Sequence, residues 1–148
     1  MSLGREDIAA LIPHRGAMCL LERVLEWDAR HIVLATRTHA APDNPLKLGG
    51  RLRAIHACEY GAQAAAAHGG LLARAASGAA ASGMIVTLRE VRLSQGDLHE
   101  LPGELIVEAE QLLGGAEGWQ YAFHLRHAGC VLASGRVTVK AGLAARGA

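Results

Sequence analysis

The segment Gly49-Gly50-Arg51-Leu52-Arg53-Ala54-Ile55-His56-Ala57-Cys58-Glu59-Tyr60-Gly61-Ala62-Gln63 runs on into Ala64-Ala65-Ala66-Ala67 and decides how this chain folds. Alanine has the best intrinsic helix propensity, and no run of β-branched residues interrupts the stretch, so its composition predicts a helix from about Arg53 to Ala67. The small side chains make it a helix meant for burial. His56 and Glu59, three residues apart, share one face of it. A carboxylate on a buried, alanine-rich helix is costly unless it is paired, neutralised or used.

Outward from this helix the pattern changes to strands. Arg5 to Leu11 reads as a short helix stopped by Pro13. Met18–Trp27 and His31–Thr38 are rich in Leu, Val and Ile, with Asp28-Ala29-Arg30 as the turn of a hairpin. Ala41-Pro42-Asp43-Asn44-Pro45 is a loop. Beyond the central helix, Gly69-Gly70 weakens or ends it, with a short helical turn expected over 71–76. Ser77-Gly78 and Ser82-Gly83 bracket a flexible link. Four strands follow at Met84–Leu93, Gly103–Leu112, Trp119–His127 and Cys130–Lys140, broken at Gly96-Asp97, Gly114-Gly115 and Ala128-Gly129. Within the third, Tyr121, Phe123 and Leu125 alternate with Ala122, His124 and Arg126, which gives one buried face. Residues 141–148 read as a frayed tail.

The expected architecture is therefore α+β, as one domain over residues 1–148: a curved antiparallel sheet closing around a long central helix, the hotdog arrangement. Small helix side chains allow the close fit that dense interiors need. The edge strands of such a sheet are open to a dimer partner.

Composition narrows the function. The 148 residues are 51% hydrophobic with a net charge of +1, and aromatics are confined to Trp27, Tyr60, Trp119, Tyr121 and Phe123. Mixed charge without a basic face, and no aromatic platform, argue against nucleic-acid and membrane-surface binding. The three cysteines, Cys19, Cys58 and Cys130, have no CxxC spacing and fit a reduced, cytoplasmic setting. No window reaches the length of a membrane span.

Three local motifs, in order along the chain, carry a resemblance. The run Ile12-Pro13-His14-Arg15 through Leu20-Leu21-Glu22-Arg23-Val24, the helix motif Glu59-Tyr60-Gly61-Ala62-Gln63, and Pro102-Gly103-Glu104 before a strand resemble the β-hydroxyacyl-ACP dehydratases. The Gly-Arg-Leu and Glu-Tyr-x-Ala-Gln-Ala pieces are similar to the branch found with aryl polyene pigment pathways. That resemblance implies a hotdog fold and dehydration of 3-hydroxyacyl thioesters on an acyl carrier protein, without metal or other cofactor. In one respect the chain departs from it. Those enzymes carry Gly-His-Phe-Pro fourteen residues before the helix acid, where this sequence has Pro45; aligned by local motif, Gly50 stands in the histidine's place.

Dehydration needs a base for the α-proton, an acid for the departing hydroxyl and a donor to polarise the thioester carbonyl. The resemblance assigns the acid to Glu59, whose burial would favour its proton-donating form; the alternative is a structural glutamate bonded to Gln63. His56 is the replacement base, or a partner that orients the carboxyl, or a core histidine satisfied by backbone. Gln63 positions the carboxyl. Gly50 offers an N–H to the thioester, or only shapes a turn. His14 ranks below His56, and His39 at a strand end is a further option. His124 and His127 point to opposite faces, which argues against a shared metal. Cys58 is a weak candidate nucleophile. Lys47, Arg51, Arg53 and Arg74 would dock an acidic carrier protein, or are ordinary surface charge. A hotdog acyl thioesterase using Glu59 to activate water is the competing enzyme. The remaining option is a subunit without its own histidine, active only beside a hotdog partner.

Overall fold

Seven strands and two α-helices account for the regular structure in a computed structural model of the chain, which describes residues 3–12, 16–77, 83–94, 96–115 and 117–141. The strands are β1 (Leu3–Gly4), β2 (Arg23–Trp27), β3 (His31–Thr36), β4 (Gly83–Leu93), β5 (Leu105–Gly115), β6 (Gly118–His127) and β7 (Cys130–Ala141). They form one antiparallel sheet in the order β1-β2-β3-β5-β6-β7-β4. The helices are α1 (Arg5–Leu11) and α2 (Ala57–Ser77). Helix α2 packs on β3, β5, β6 and β7, so the central helix and sheet are those the sequence predicts.

Period-two patterning builds the face that receives α2. Leu105, Val107 and Ala109 of β5 are buried, as are Tyr121, Phe123 and Leu125 of β6. Pairing puts Val107 beside Leu125 and Ala109 beside Phe123, then Phe123 beside Gly135 of β7. The helix meets this layer with Ala57, Tyr60, Ala64, Ala65 and Ala67, all buried. Gly61 explains the closeness of fit: a Cβ there would lie 2.3 Å from Cγ of Phe123, so the aromatic ring rests directly on the helix backbone.

Strand β3 ends at Thr36, short of Thr38, and β5 runs on through Gly114-Gly115, where the sequence predicts a break. Two further boundaries differ more from the sequence-based expectation. Helix α2 continues through Gly69-Gly70 to Ser77, because Gly70 admits α1: its Cβ would stand 3.0 Å from both Cβ and O of Leu11. That close approach offsets the roughly 1 kcal/mol that a helical glycine costs. The stretch expected as a strand from Met18 forms a 3-10 turn (Gly16–Met18) and then irregular backbone before β2 begins at Arg23. Around Met18 and Leu20 its peptide groups bond to the side chains of Gln63, Thr36 and Thr38, while the Glu22 N–H reaches the β3 backbone at the Ala35 carbonyl. The link at 78–82 and the tail at 142–148 lie outside the described residues. Among the described residues no helix is long and apolar enough to cross a membrane.

Candidate active site

The start of α2 gathers the sequence-predicted residues unevenly. A 3-10 turn, Ala54–His56, leads into the helix, so His56 sits just before it and Glu59 in its first turn. Both side chains are partly buried. Gln63, one turn on from Glu59, is almost fully enclosed and donates from Nε2 to Oε2 of Glu59 at 3.0 Å.

Gln63 is itself held from two sides. Its Oε1 accepts the backbone N–H of Leu20 at 2.9 Å, and Nε2 also donates to the carbonyl of Met18 at 2.7 Å. The Leu20 N–H can only donate and the Met18 carbonyl can only accept, so the amide has a single allowed orientation. It therefore always presents a donor to Glu59. Glu59 is thus bonded to Gln63, as both the catalytic and the structural reading expect, in a partly open position.

A second cluster, which the sequence reading missed, adjoins the first. Tyr60 is fully buried, and its hydroxyl lies 2.8 Å from Oγ1 of Thr38 and 3.1 Å from Nδ2 of Asn44. Thr36 and Thr38 both donate to the carbonyl of Leu20, at 2.5 and 2.7 Å. Burial pushes the Tyr60 hydroxyl above its ordinary pKa, so it stays a donor. The available signal was Tyr60 itself: a tyrosine on a buried alanine helix needs a partner for its hydroxyl.

Gly50 is exposed. Leu48 and Arg51 exchange backbone hydrogen bonds of 3.0 and 3.1 Å, with Gly49 (φ 61°) and Gly50 (φ 78°) as an exposed two-residue turn between them. Positive φ at both positions is the conformation glycine supplies without steric cost. His14 lies outside the described residues. His39 is completely buried in the 3-10 turn after β3 (Thr38–Ala40); its Nε2 lies 2.9 Å from the Leu101 carbonyl, and burial holds its pKa below the ordinary value. His127 similarly bonds the Pro102 carbonyl, and His124 stands opposite Glu108 on the outer face of β5 and β6. Burial raises the pKa of the Cys58 thiol, which works against its use as a thiolate nucleophile.

The basic residues separate as well. Arg51 is bound to Asp97 at 2.8 Å. Arg53 is exposed and Lys47 partly so, both on the segment leading to α2. Arg74 is fifteen residues beyond Glu59 on the same helix, about 22 Å away at the helical rise.

An antiparallel sheet wrapped on one long helix defines a hotdog-fold protein. Residues 6–144 match the ApeP-like family, described as ApeP dehydratase, and the chain belongs to that family. No curated protein sequence matches it. Among solved structures, the chain is similar to the dehydratase heterocomplex ApeI:P from Xenorhabdus doucetiae, with a TM-score of 0.82 and 23% identity over 91% of this chain and 90% of that one. It is also similar to zebra fish thioesterase superfamily member 2, with a TM-score of 0.62 and 17% identity over 95% and 99%. A hypothetical thioesterase with coenzyme A from Streptococcus pneumoniae TIGR4 gives a TM-score of 0.57 and 12% identity over 80% and 84%. At these identities the structural likeness establishes the hotdog fold.

Proposed function

We propose that this dehydratase acts on 3-hydroxyacyl groups carried as thioesters on an acyl carrier protein, with Glu59 serving the departing hydroxyl. The supporting observation is the Glu59 carboxyl held through Gln63 to the Met18–Leu20 backbone. In the reaction a base takes the α-proton, the freed electron pair forms the α,β double bond, and the C–O bond breaks. Hydroxide leaves with the proton of Glu59 as water. Gln63 donates to Oε2 of Glu59 and so helps to orient the carboxyl toward the departing hydroxyl.

For the base, His56 is the candidate within this chain, one turn before Glu59. A second reading gives that role to a partner subunit's histidine. It is supported by the exposed glycine turn standing where the related dehydratases have theirs, and by the relative ApeI:P being a heterocomplex. Strand β4 is the edge available for such a partner: it is eleven residues long and exposes Thr87, Leu88, Arg89 and Glu90. Lys47 and Arg53, on the segment before α2, suit an acidic carrier protein.

The test is to incubate the pure protein with a 3-hydroxyacyl and a saturated acyl thioester on a carrier protein, alone and with a hotdog protein encoded beside it, and to read products by mass. Loss of water from the first substrate only, by the protein alone, supports dehydration with an internal base. Activity appearing only with the second protein supports the shared site. Free thiol from both substrates would replace dehydration with thioester hydrolysis, and silence in every arm would overturn the proposal.

A further inference from the structure

The backbone of Leu20 is held at both its N–H and its carbonyl, the first directly by α2 and the second by Thr36 and Thr38. Its N–H goes directly to Gln63. Its carbonyl accepts from Thr36 and Thr38, and Thr38 is bonded to Tyr60. Tyr60 and Gln63 are three residues apart and so are neighbours on the helix surface. Leu20 therefore sits in a clamp, with one jaw formed by Gln63 and the other by Tyr60 acting through Thr38.

The proton directions follow from the one group that can only accept. The Leu20 carbonyl takes the hydroxyl protons of Thr36 and Thr38, which leaves Oγ1 of Thr38 to accept from Tyr60. Asn44 completes the set. Its Nδ2 donates to Oη of Tyr60 and, at 2.9 Å, to the carbonyl of Thr38, while its Oδ1 accepts the Leu46 N–H at 2.9 Å. Thr36, Thr38, Asn44 and Tyr60 are all buried. An enclosed network in which each polar group has one consistent role holds its members rigidly.

We infer that Tyr60 is a positioning residue for Glu59: through Thr38 it seats the Leu20 peptide, which fixes the Gln63 amide, which fixes the carboxyl. Resting on the reading of Glu59 as the acid, this couples the carboxyl to the loop that runs from Thr38 through Leu46 to the glycine turn. Tyr60 never touches substrate. Its hydroxyl acts on the orientation of the neighbouring Glu59 side chain.

Tyr60→Phe and Thr38→Val each keep shape and remove one hydroxyl. Both are expected to lower kcat by about ten- to a hundredfold with little change in KM, the signature of misaligned chemistry. Because they break the same chain, the double variant should be no worse than the more impaired single one. In both singles the Leu20 amide and Glu59 carboxyl resonances should shift by NMR, whereas Thr87→Val on the exposed edge strand should leave them in place. Unmoved Leu20 and Glu59 resonances in the two hydroxyl variants would overturn the coupling, as would losses that multiply in the double variant. Glu59→Gln tests the underlying reading separately. If that variant keeps full activity, Glu59 is not the acid, and the resonances still decide whether Tyr60 holds it.

Discussion

Gln63 reaches Glu59 with its amide nitrogen and Leu20 with its amide oxygen, so one side chain sets the orientation of the carboxyl and the position of the loop in front of it. Gln63→Glu keeps the shape and removes both donors, leaving a carboxylate against Glu59 and the Met18 carbonyl without its bond. Gln63→Ala leaves the Leu20 N–H and the Met18 carbonyl unsatisfied. An unsatisfied buried polar group costs about 1–3 kcal/mol, so the alanine variant should lose roughly 2–4 kcal/mol in denaturant titration. The glutamate variant, which buries a second acid beside Glu59, should lose both stability and activity. Equal turnover in the wild type and Gln63→Glu would show that the amide does not direct Glu59.

The contact of Gly61 with Phe123 yields a prediction about packing. A methyl group at position 61 would meet three ring carbons of Phe123 at 2.3–2.8 Å. Overpacking of this kind costs about 1–3 kcal/mol or more. Gly61→Ala should be destabilised by at least that much, and Phe123→Leu should be less harmful in the Gly61→Ala background than in the wild type. Strictly additive losses in the double-mutant cycle would mean that helix and ring do not meet there.

The architecture was legible in the sequence because its signals are periodic and local. Alternation in β6 located a strand with one buried face, and alanine content located α2. The extent of α2 was not legible, since Gly69-Gly70 reads as a break until Leu11 is seen packed against Gly70. Nor was the irregular backbone of residues 19–22, whose apolar side chains resemble a strand while its peptides bond to Gln63, Thr36 and Thr38. At the site, Glu59 and Gln63 were visible through their one-turn spacing. Thr38 and Asn44 were not, because short polar side chains that meet across 16 to 22 residues leave no periodic trace.

Strand β4 carries a prediction about assembly. A long edge strand with exposed apolar side chains is a liability unless another chain covers it. Leu88 and Leu93 are 47% and 39% exposed there. The protein should form dimers through this edge, with itself or with a hotdog partner, and Leu88→Glu should shift native mass spectra toward monomer. A dimer untouched by that substitution would place the interface elsewhere.

Two buried histidines make stability depend on pH in a definite direction. His68 lies on α2 with Nδ1 2.7 Å from Oη of Tyr121 and Nε2 2.8 Å from the Asp28 carbonyl, and His39 is enclosed beside Leu101. Burial holds both pKa values below 6.5, their ordinary value, so the folded protein keeps both rings neutral where the unfolded chain begins to protonate them. The unfolded state then binds more protons, and stability rises with pH: the contribution is complete above the unfolded pKa and is lost as pH falls through that value toward the folded one. Each ring contributes a slope of at most about 1.4 kcal/mol per pH unit. The backbone N–H of Arg30 lowers the pKa of Asp28, and Arg51 lowers that of Asp97, so these carboxyls act in a more acidic range. The melting temperature should therefore fall steadily from pH 7.5 to 5.5. His68→Gln should melt lower at pH 7.5, because Tyr121 loses its acceptor, yet should show a shallower decline over the same range. An unchanged slope in that variant would assign the acid sensitivity to other groups.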